Sequence, residues 1–305
     1  GITSAMTLPQ NTDSPIGGLG SFFVLDSNIE VSGIKDNVMI GRVGGSGSKS
    51  RSETFAVIED LLEFASSLNL KDMESYKDIA DLIDDSPIAE SMDLHPRDIK
   101  ALYNLVNDDL PLIISANRAS DLLKLIDLKL KYDLNLIIMG AQEARLVADK
   151  IAKNNIPLII NPINNIPESF DELAANIELA AYLEKQGITL MFNAPRSHNF
   201  HLIRQGAGVA VANGMSYAGA LRALTSSPVE VFNLGDRGEI VAGKVADLII
   251  WDADPLEPSS MPEKVFINGK DIDLTSRMTR LTDRYIKNKD KPSICLLYTS
   301  PSPRD

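Results

Sequence analysis

Ser197-His198-Asn199-Phe200-His201 brings two of the chain's three histidines within three positions of each other. An imidazole near neutral pH accepts or donates a proton, or ligates a metal through its free nitrogen. On a helix, residues three apart share a face, so the pair could chelate a divalent cation. The dedicated helical zinc spacing is i, i+4 with a Glu between, and it is absent. The other reading gives His198 a contact with substrate and leaves His201 on a helix face. Further groups that hold an anion, move a proton or hydrogen-bond a ligand occur in three short stretches. These are Ser115-Ala116-Asn117-Arg118, Gly140-Ala141-Gln142-Glu143 and Asn161-Pro162-Ile163-Asn164-Asn165; a fourth, Asn193-Ala194-Pro195-Arg196, runs into the histidine pair. The candidate catalytic residues are His198, Glu143 and Arg118. The candidate substrate-binding residues are Asn117, Arg118, Asn193 and Asn199. No metal-ligand set is assigned.

Each of these stretches follows a short apolar run. Leu110–Ser115, Leu134–Gly140, Ile156–Asn161 and Ile188–Asn193 are rich in Ile and Leu and do not alternate with polar residues. Such runs read as strands buried on both faces, as in a parallel sheet covered by helices. Helical patterns intervene at Ala119–Tyr132, Ala141–Asn154, Ser169–Gln186 and Asn199–Asn213. Strand–helix repetition of this kind gives an α/β fold, and its site lies at the carboxyl ends of the strands. Those ends are the polar stretches named above, so Asn117, Arg118, Glu143, His198 and Asn199 are expected to face one cavity.

Composition narrows the classes. The chain has 305 residues, 44% hydrophobic and 24% charged, with a formal net charge of −12. That is globular, and too acidic for a general nucleic-acid or anionic-membrane binder. No apolar run reaches the roughly 20 residues of a membrane helix. The single cysteine, Cys295, excludes an internal disulfide and a Cys-based zinc site. The compartment stays open between cytoplasm and periplasm. The chain enters a strand-like run at Gly1 and reads as a fragment whose beginning is missing.

Other segments are read in order. Gly1–Pro9 is strand-like, and Ile16–Gly20 reads as a glycine turn before a strand at Ser21–Asp26. Gly44–Ser50 is glycine-rich, but Ser48 stands where a phosphate loop needs Gly before its Lys, so it reads as a surface loop. Asn69–Asp98 is acidic and reads as a solvated face. His95 reads as a surface or capping residue before a helix to Asn107, with Pro96 in its first turn. Tyr217–Thr225 is helical, with Pro228 beyond its end. Ala246–Asp252 and Val265–Asn268 are strands, and Asn268-Gly269 is a hairpin turn signal. Pro292–Asp305 fits nothing before it and reads as translation through a sequencing-adapter sequence, or as a disordered tail.

Ala220-Leu221-Arg222-Ala223-Leu224-Thr225-Ser226-Ser227-Pro228, then the stretch from Gly235-Asp236-Arg237-Gly238 through Gly243-Lys244-Val245-Ala246-Asp247-Leu248-Ile249-Ile250-Trp251-Asp252, then Val265-Phe266-Ile267-Asn268-Gly269-Lys270, resemble the end of an amidohydrolase-superfamily enzyme of the imidazolonepropionase-like or prolidase-like kind. Gly1–Pro9, Ile16–Gly20, Leu110–Asp121 and Gly140–Asp149 are also similar to family segments, so the resemblance covers nearly all of Gly1–Tyr285. It implies an α/β fold: a partial (β/α)8 TIM barrel with the C-terminal part of a small β-sandwich. The implied division is an incomplete barrel over 1–232, the sandwich portion over 233–285 and a disordered or non-native tail over 286–305. It implies hydrolysis of a non-peptide or cyclic amide C–N bond by a water activated on zinc or another divalent metal. The family's His-x-His would precede Gly1. Ser115 and Met139 stand where relatives carry histidines, and Asn193-Ala194-Pro195 stands where the catalytic Asp is expected. Those substitutions favour an alternative: a catalytically degenerate paralogue that binds a ligand, forms a homo-oligomer or pairs with an active homologue. The expected partner in either case is a small molecule.

Overall fold

A computed structural model describes residues 1–9, 14–26, 32–44, 50–69, 79, 94–164, 166–194, 200 and 202–286. Seven strands form one sheet in chain order: β1 (Ser4–Thr7), β2 (Ile16–Val24), β3 (Gly33–Arg42), β4 (Leu112–Ala116), β5 (Leu136–Gly140), β6 (Leu158–Ile160) and β7 (Leu190–Phe192). The pairs β1/β2 and β2/β3 are antiparallel. From β3 to β7 every pair is parallel. This is the expected partial barrel, a curved run of parallel strands whose first and last members are edges among the described residues.

The two faces of the parallel strands separate by sequence parity, because successive side chains point to opposite sides. Leu112, Ile114, Leu136, Ile138, Leu158, Ile160, Leu190 and Phe192 pack with helical side chains in one cluster. Ile113, Ile137, Ile159 and Met191 belong to a second cluster on the interior face, with Phe22, Val38, Phe232, Leu234, Val265 and Ile267. Burial on both sides explains why these strands carry no polar alternation. Each fully buried Ile or Leu contributes roughly 2 kcal/mol.

The helices are α1 (Arg51–Ser67), α2 (Pro96–Asn107), α3 (Ala119–Tyr132), α4 (Ala148–Lys153), α5 (Leu179–Lys185), α6 (Ile203–Ala212), α7 (Tyr217–Leu224), α8 (Ser226–Val231) and α9 (Arg277–Ile286). Their ends follow ordinary capping chemistry. His95 caps α2 as expected: its side chain accepts from Arg97 N, and Asp98 accepts from His95 N. In α3, Leu122, Leu125, Ile126 and Leu128 face the sheet, and Asp133 closes the helix at φ 51. No described helix is long and apolar enough to cross a membrane.

Several local expectations are corrected. Residues 16–20 are not a turn: β2 begins at Ile16 and absorbs its glycines with a register shift between Ile16 and Leu19. The strand β3 carries few buried residues in its first half and gave no alternation to read. Pro228 lies beyond the end of α7, as expected, and falls in the first turn of the short α8, where a proline lacks only an N–H that needs no helical partner. The helix expected over 169–186 is confined to Leu179–Lys185. Its first half has a helical apolar spacing, yet Ser169 accepts from Asp171 N and Asn176 accepts from Glu178 N at 2.7 Å. Such local side-chain bonds compete with the helical ladder. The glycine-rich stretch 45–49 and most of the acidic stretch, 70–78 and 80–93, lie outside the described residues, as do 287–305.

A separate antiparallel sheet joins β8 (Leu248–Trp251), β9 (Pro262–Ile267) and β10 (Lys270–Asp271). Its hairpin turns at Asn268 (φ 52) and Gly269 (φ 76), the two positive-φ positions of a type I′ turn, as Asn-Gly predicts. Arg237 pairs with Asp247 and donates to Asn268 Oδ1 at 2.8 Å, while Asp247 accepts from Asn268 N at 2.8 Å. Arg204 of α6 donates to Pro255 O, Ser260 O and Ser260 Oγ and lies 4.9 Å over the Trp251 ring. That guanidinium ties the barrel helix to the small sheet.

Candidate functional site

The carboxyl ends of β4 and β5 are joined before any side chain acts. Ala141 N donates to Ala116 O at 2.8 Å, and Glu143 N donates to Asn117 O at 2.9 Å. The turn that allows this has two consecutive left-handed residues, Gly140 (φ 94) and Ala141 (φ 50). A Cβ on Gly140 would sit 2.3 Å from Asn117 Oδ1, so only glycine fits there. Ala141 is fully buried and holds a conformation that costs about 1 kcal/mol or more for a non-glycine residue.

The turn delivers the Glu143 carboxylate to the start of α3. Arg118, at the N-cap position, makes no side-chain cap. Glu143 Oε2 instead accepts from Ala119 N at 2.9 Å, an anion satisfying an orphan donor at the positive end of a helix. Its other oxygen accepts from Ala174 N at 3.3 Å. Glu143 is buried and committed to backbone donors at both oxygens.

Ala174 belongs to the irregular segment 166–178 after β6, which is strapped across the rim by three polar ties. The second runs from Asn117 Nδ2 to Glu172 Oε1 at 2.7 Å. The third pairs Asp171 with Arg51 at the start of α1, whose Nε also donates to Asp121 Oδ2 at 3.0 Å. Asp121 is 3% exposed, so Arg51 neutralises a buried carboxylate while holding the strap. Both carboxylates raise the Arg51 pKa, the hydrogen bond that Arg51 donates to Asp121 contributing most. With its polar groups turned inward, the strap leaves Ile166, Phe170, Leu173 and Ile177 exposed.

The floor beneath the strap is one cross-strand row, Arg42–Ser115–Met139–Ile159–Met191. One step further along β6 and β7, Asn161 and Asn193 flank each other, since Ile160 pairs with Phe192 and Asn193 N donates to Ile160 O at 3.1 Å. Strand parity turns both amides to the interior side. Asn161 is 8% exposed; its Oδ1 accepts from Ile163 N at 3.2 Å and its Nδ2 has no partner. Asn193 Oδ1 and Gln142 Oε1 are also buried without a partner. Buried polar atoms are normally paired, and an unpaired one costs about 1–3 kcal/mol. Three around one set of strand ends mark a place where a ligand or ordered water completes the bonding.

Of the residues expected to converge, Asn117, Arg118 and Glu143 share the β4–β5 rim, and Asn193 lies on the same end of the sheet. Arg118 is exposed. His198 and Asn199, with 195–197 and His201, lie outside the described residues. Asn161 and Gln142 stand at strand ends in the sequence, but no motif distinguishes an orphaned amide from a turn residue. Arg51, Asp121, Asp171 and Glu172 carry no sequence signal, because their pairing spans segments far apart in sequence.

The donor set does not fit a hydrolytic divalent metal. The row and the positions above it offer a hydroxyl, a thioether and amides, and the Glu143 and Glu172 carboxylates already accept hydrogen bonds. Catalytic zinc takes imidazole, thiolate or carboxylate ligands, and no group of three such side chains converges among the described residues.

The amidohydrolase family model matches residues 117–272, more than half of the chain. The amidohydrolase tasK of Hapsidospora irregularis is 33% identical over 90 residues, 28% of this chain and 9% of that protein. The chain therefore matches only a small part of that curated relative's length. The crystal structure of an amidohydrolase from Thermotoga maritima MSB8 superposes with a TM-score of 0.74 at 22% identity, covering 90% of this chain and 72% of that one, which shows a common fold. A prolidase complexed with N-methylphosphonate-L-proline aligns at a TM-score of 0.44 and 14% identity over 80% of this chain and 70% of that one, too loosely to carry an argument.

Proposed function

Because the chain belongs to the amidohydrolase family, we propose that it serves hydrolysis of a carbon–nitrogen bond in a small non-peptide or cyclic amide, and that its described strand ends bind that substrate. The observation that carries this reading is the set of unpartnered amide atoms on Gln142, Asn161 and Asn193 at the carboxyl ends of parallel strands, where sites of such barrels form. Asn117 and Glu143 set the rim: one ties the strap down, the other holds the start of α3. Arg118 is an exposed cation at the entrance, available to an anionic part of a ligand. No step through a metal is derived, since the donor set fits none.

The same donor set favours a second reading, in which the mouth binds an amide without cleaving it. Ser115 and Met139 supply neither a ligand nor a base, and Glu143 is occupied. The two readings part in one experiment. The full chain is incubated with a panel of open-chain and cyclic amides, with and without added zinc, and amine release is followed alongside equilibrium binding. Zinc-dependent amine release supports hydrolysis. Saturable binding with no release above background supports binding alone. Neither release nor binding overturns both.

A further inference from the structure

We propose that α9 of one copy docks on the strap of a second copy of this chain, and that two such contacts related by a two-fold axis hold a dimer.

Among the described residues nothing buries α9. Met278 and Tyr285 are 71% and 64% exposed, and no residue of the helix is buried. Met278, Leu281 and Tyr285 stand three and four positions apart, so they line one face. Arg277, Arg280 and Arg284 fall together on the neighbouring arc of the same helix. An exposed apolar stripe flanked by charge of one sign is the pattern of a surface that meets a partner.

The strap, residues 166–178, offers the counterpart. Ile166, Phe170, Leu173 and Ile177 are exposed on it. All of its charged residues are acidic: Glu168, Asp171, Glu172 and Glu178. Asp171 and Glu172 are tied to Arg51 and Asn117, while Glu168 and Glu178 stay exposed. Covering the apolar stripe of α9 with the strap therefore sets arginines against carboxylates, and charge complementarity of this kind selects the partner. A second α9 in that place would set arginine against arginine. An anionic lipid surface would repel the rest of a chain whose net charge is −12.

Size argues for two contacts. α9 has ten residues and is about 15 Å long. One such helix covers less than the roughly 800 Å² per partner of a stable association. Both surfaces belong to one chain, so a two-fold axis forms the contact twice, the commonest way for identical subunits to close.

The test is sedimentation of the full chain across a hundredfold range of concentration. A monomer–dimer equilibrium is expected, weakened at least tenfold at about 1 M salt, where charges are screened within about 3 Å. Phe170→Asp and Met278→Asp, both at exposed positions, should each leave a monomer. Mixed together, they should form a heterodimer through the one contact still intact, more weakly than the wild type. Arg277→Glu with Arg280→Glu should weaken association tenfold or more, and adding Glu168→Arg with Glu178→Arg to that chain should restore it. Proteolytic cleavage in the strap, fast in the dilute chain, should slow as concentration rises. A monomer at every concentration overturns the proposal. So does a dimer lost with Met278→Asp but kept with Phe170→Asp, which would mean that α9 pairs with itself. Binding of the chain to anionic vesicles without self-association overturns it too. If an aspartate variant fails to fold, the salt dependence and the charge reversal decide.

Discussion

The small C-terminal sheet and the barrel mouth treat polar groups in opposite ways. In the sheet, Arg237, Asp247 and Asn268 satisfy one another, and the Arg204 guanidinium meets a set of carbonyls. At the mouth, Gln142, Asn161 and Asn193 hold buried atoms without partners. The first arrangement stabilises; the second leaves buried polar atoms unpaired at a cost in stability. The residues by which the family is most readily recognised, Asp247 and Asn268 among them, thus form a structural knot in the small sheet.

Four substitutions test that contrast. Asp247→Ala leaves the poorly solvated Arg237 charge without its partner and should cost about 4 kcal/mol in denaturant unfolding, while ligand binding by the fraction still folded stays unchanged. A loss near zero would mean the knot contributes nothing. Gly140→Ala forces an L-residue to φ 94 and drives a methyl into Asn117 Oδ1; about 2 kcal/mol should be lost, and binding should weaken with it. Unaltered binding would separate this turn from the site. Arg51→Met strips the buried Asp121 of its cation; since Arg51 is partly exposed, about 1.5 kcal/mol is expected, with faster amide exchange across 166–178. Unchanged exchange there would show that the strap does not depend on this pair. Gln142→Leu is expected to leave stability level or raise it by about 1 kcal/mol, because it removes a buried acceptor that nothing satisfies. A clear loss of stability would put Gln142 with the satisfied groups and blur the distinction.

Legibility in the sequence follows the same division. The parallel strands were readable because burial on both faces leaves unbroken Ile and Leu runs, as in Leu112–Ala116 and Leu136–Gly140. The hairpin at Asn268-Gly269 and the His95 cap were readable because their geometry depends on adjacent residues. The polar rim was located, but its wiring was not. Glu143 is seen from the sequence as an acid that could move a proton; only the fold shows it bound to Ala119 N and Ala174 N. The spacing of Phe170, Leu173 and Ile177 predicts a helix from Ser169, where the structure has the irregular strap up to Leu179–Lys185. Contacts across more than 50 positions, such as Asn117 to Glu172, turn those side chains outward.

The inside-out strap has a practical outcome for handling the protein. Phe170 is 85% exposed and Leu173 64% exposed on a segment without regular hydrogen bonding. A protease that cuts after large apolar residues should find its first described target there, before any strand or helix is nicked. Occupancy of the mouth should slow that cut in proportion to how firmly the bound molecule holds the rim closed.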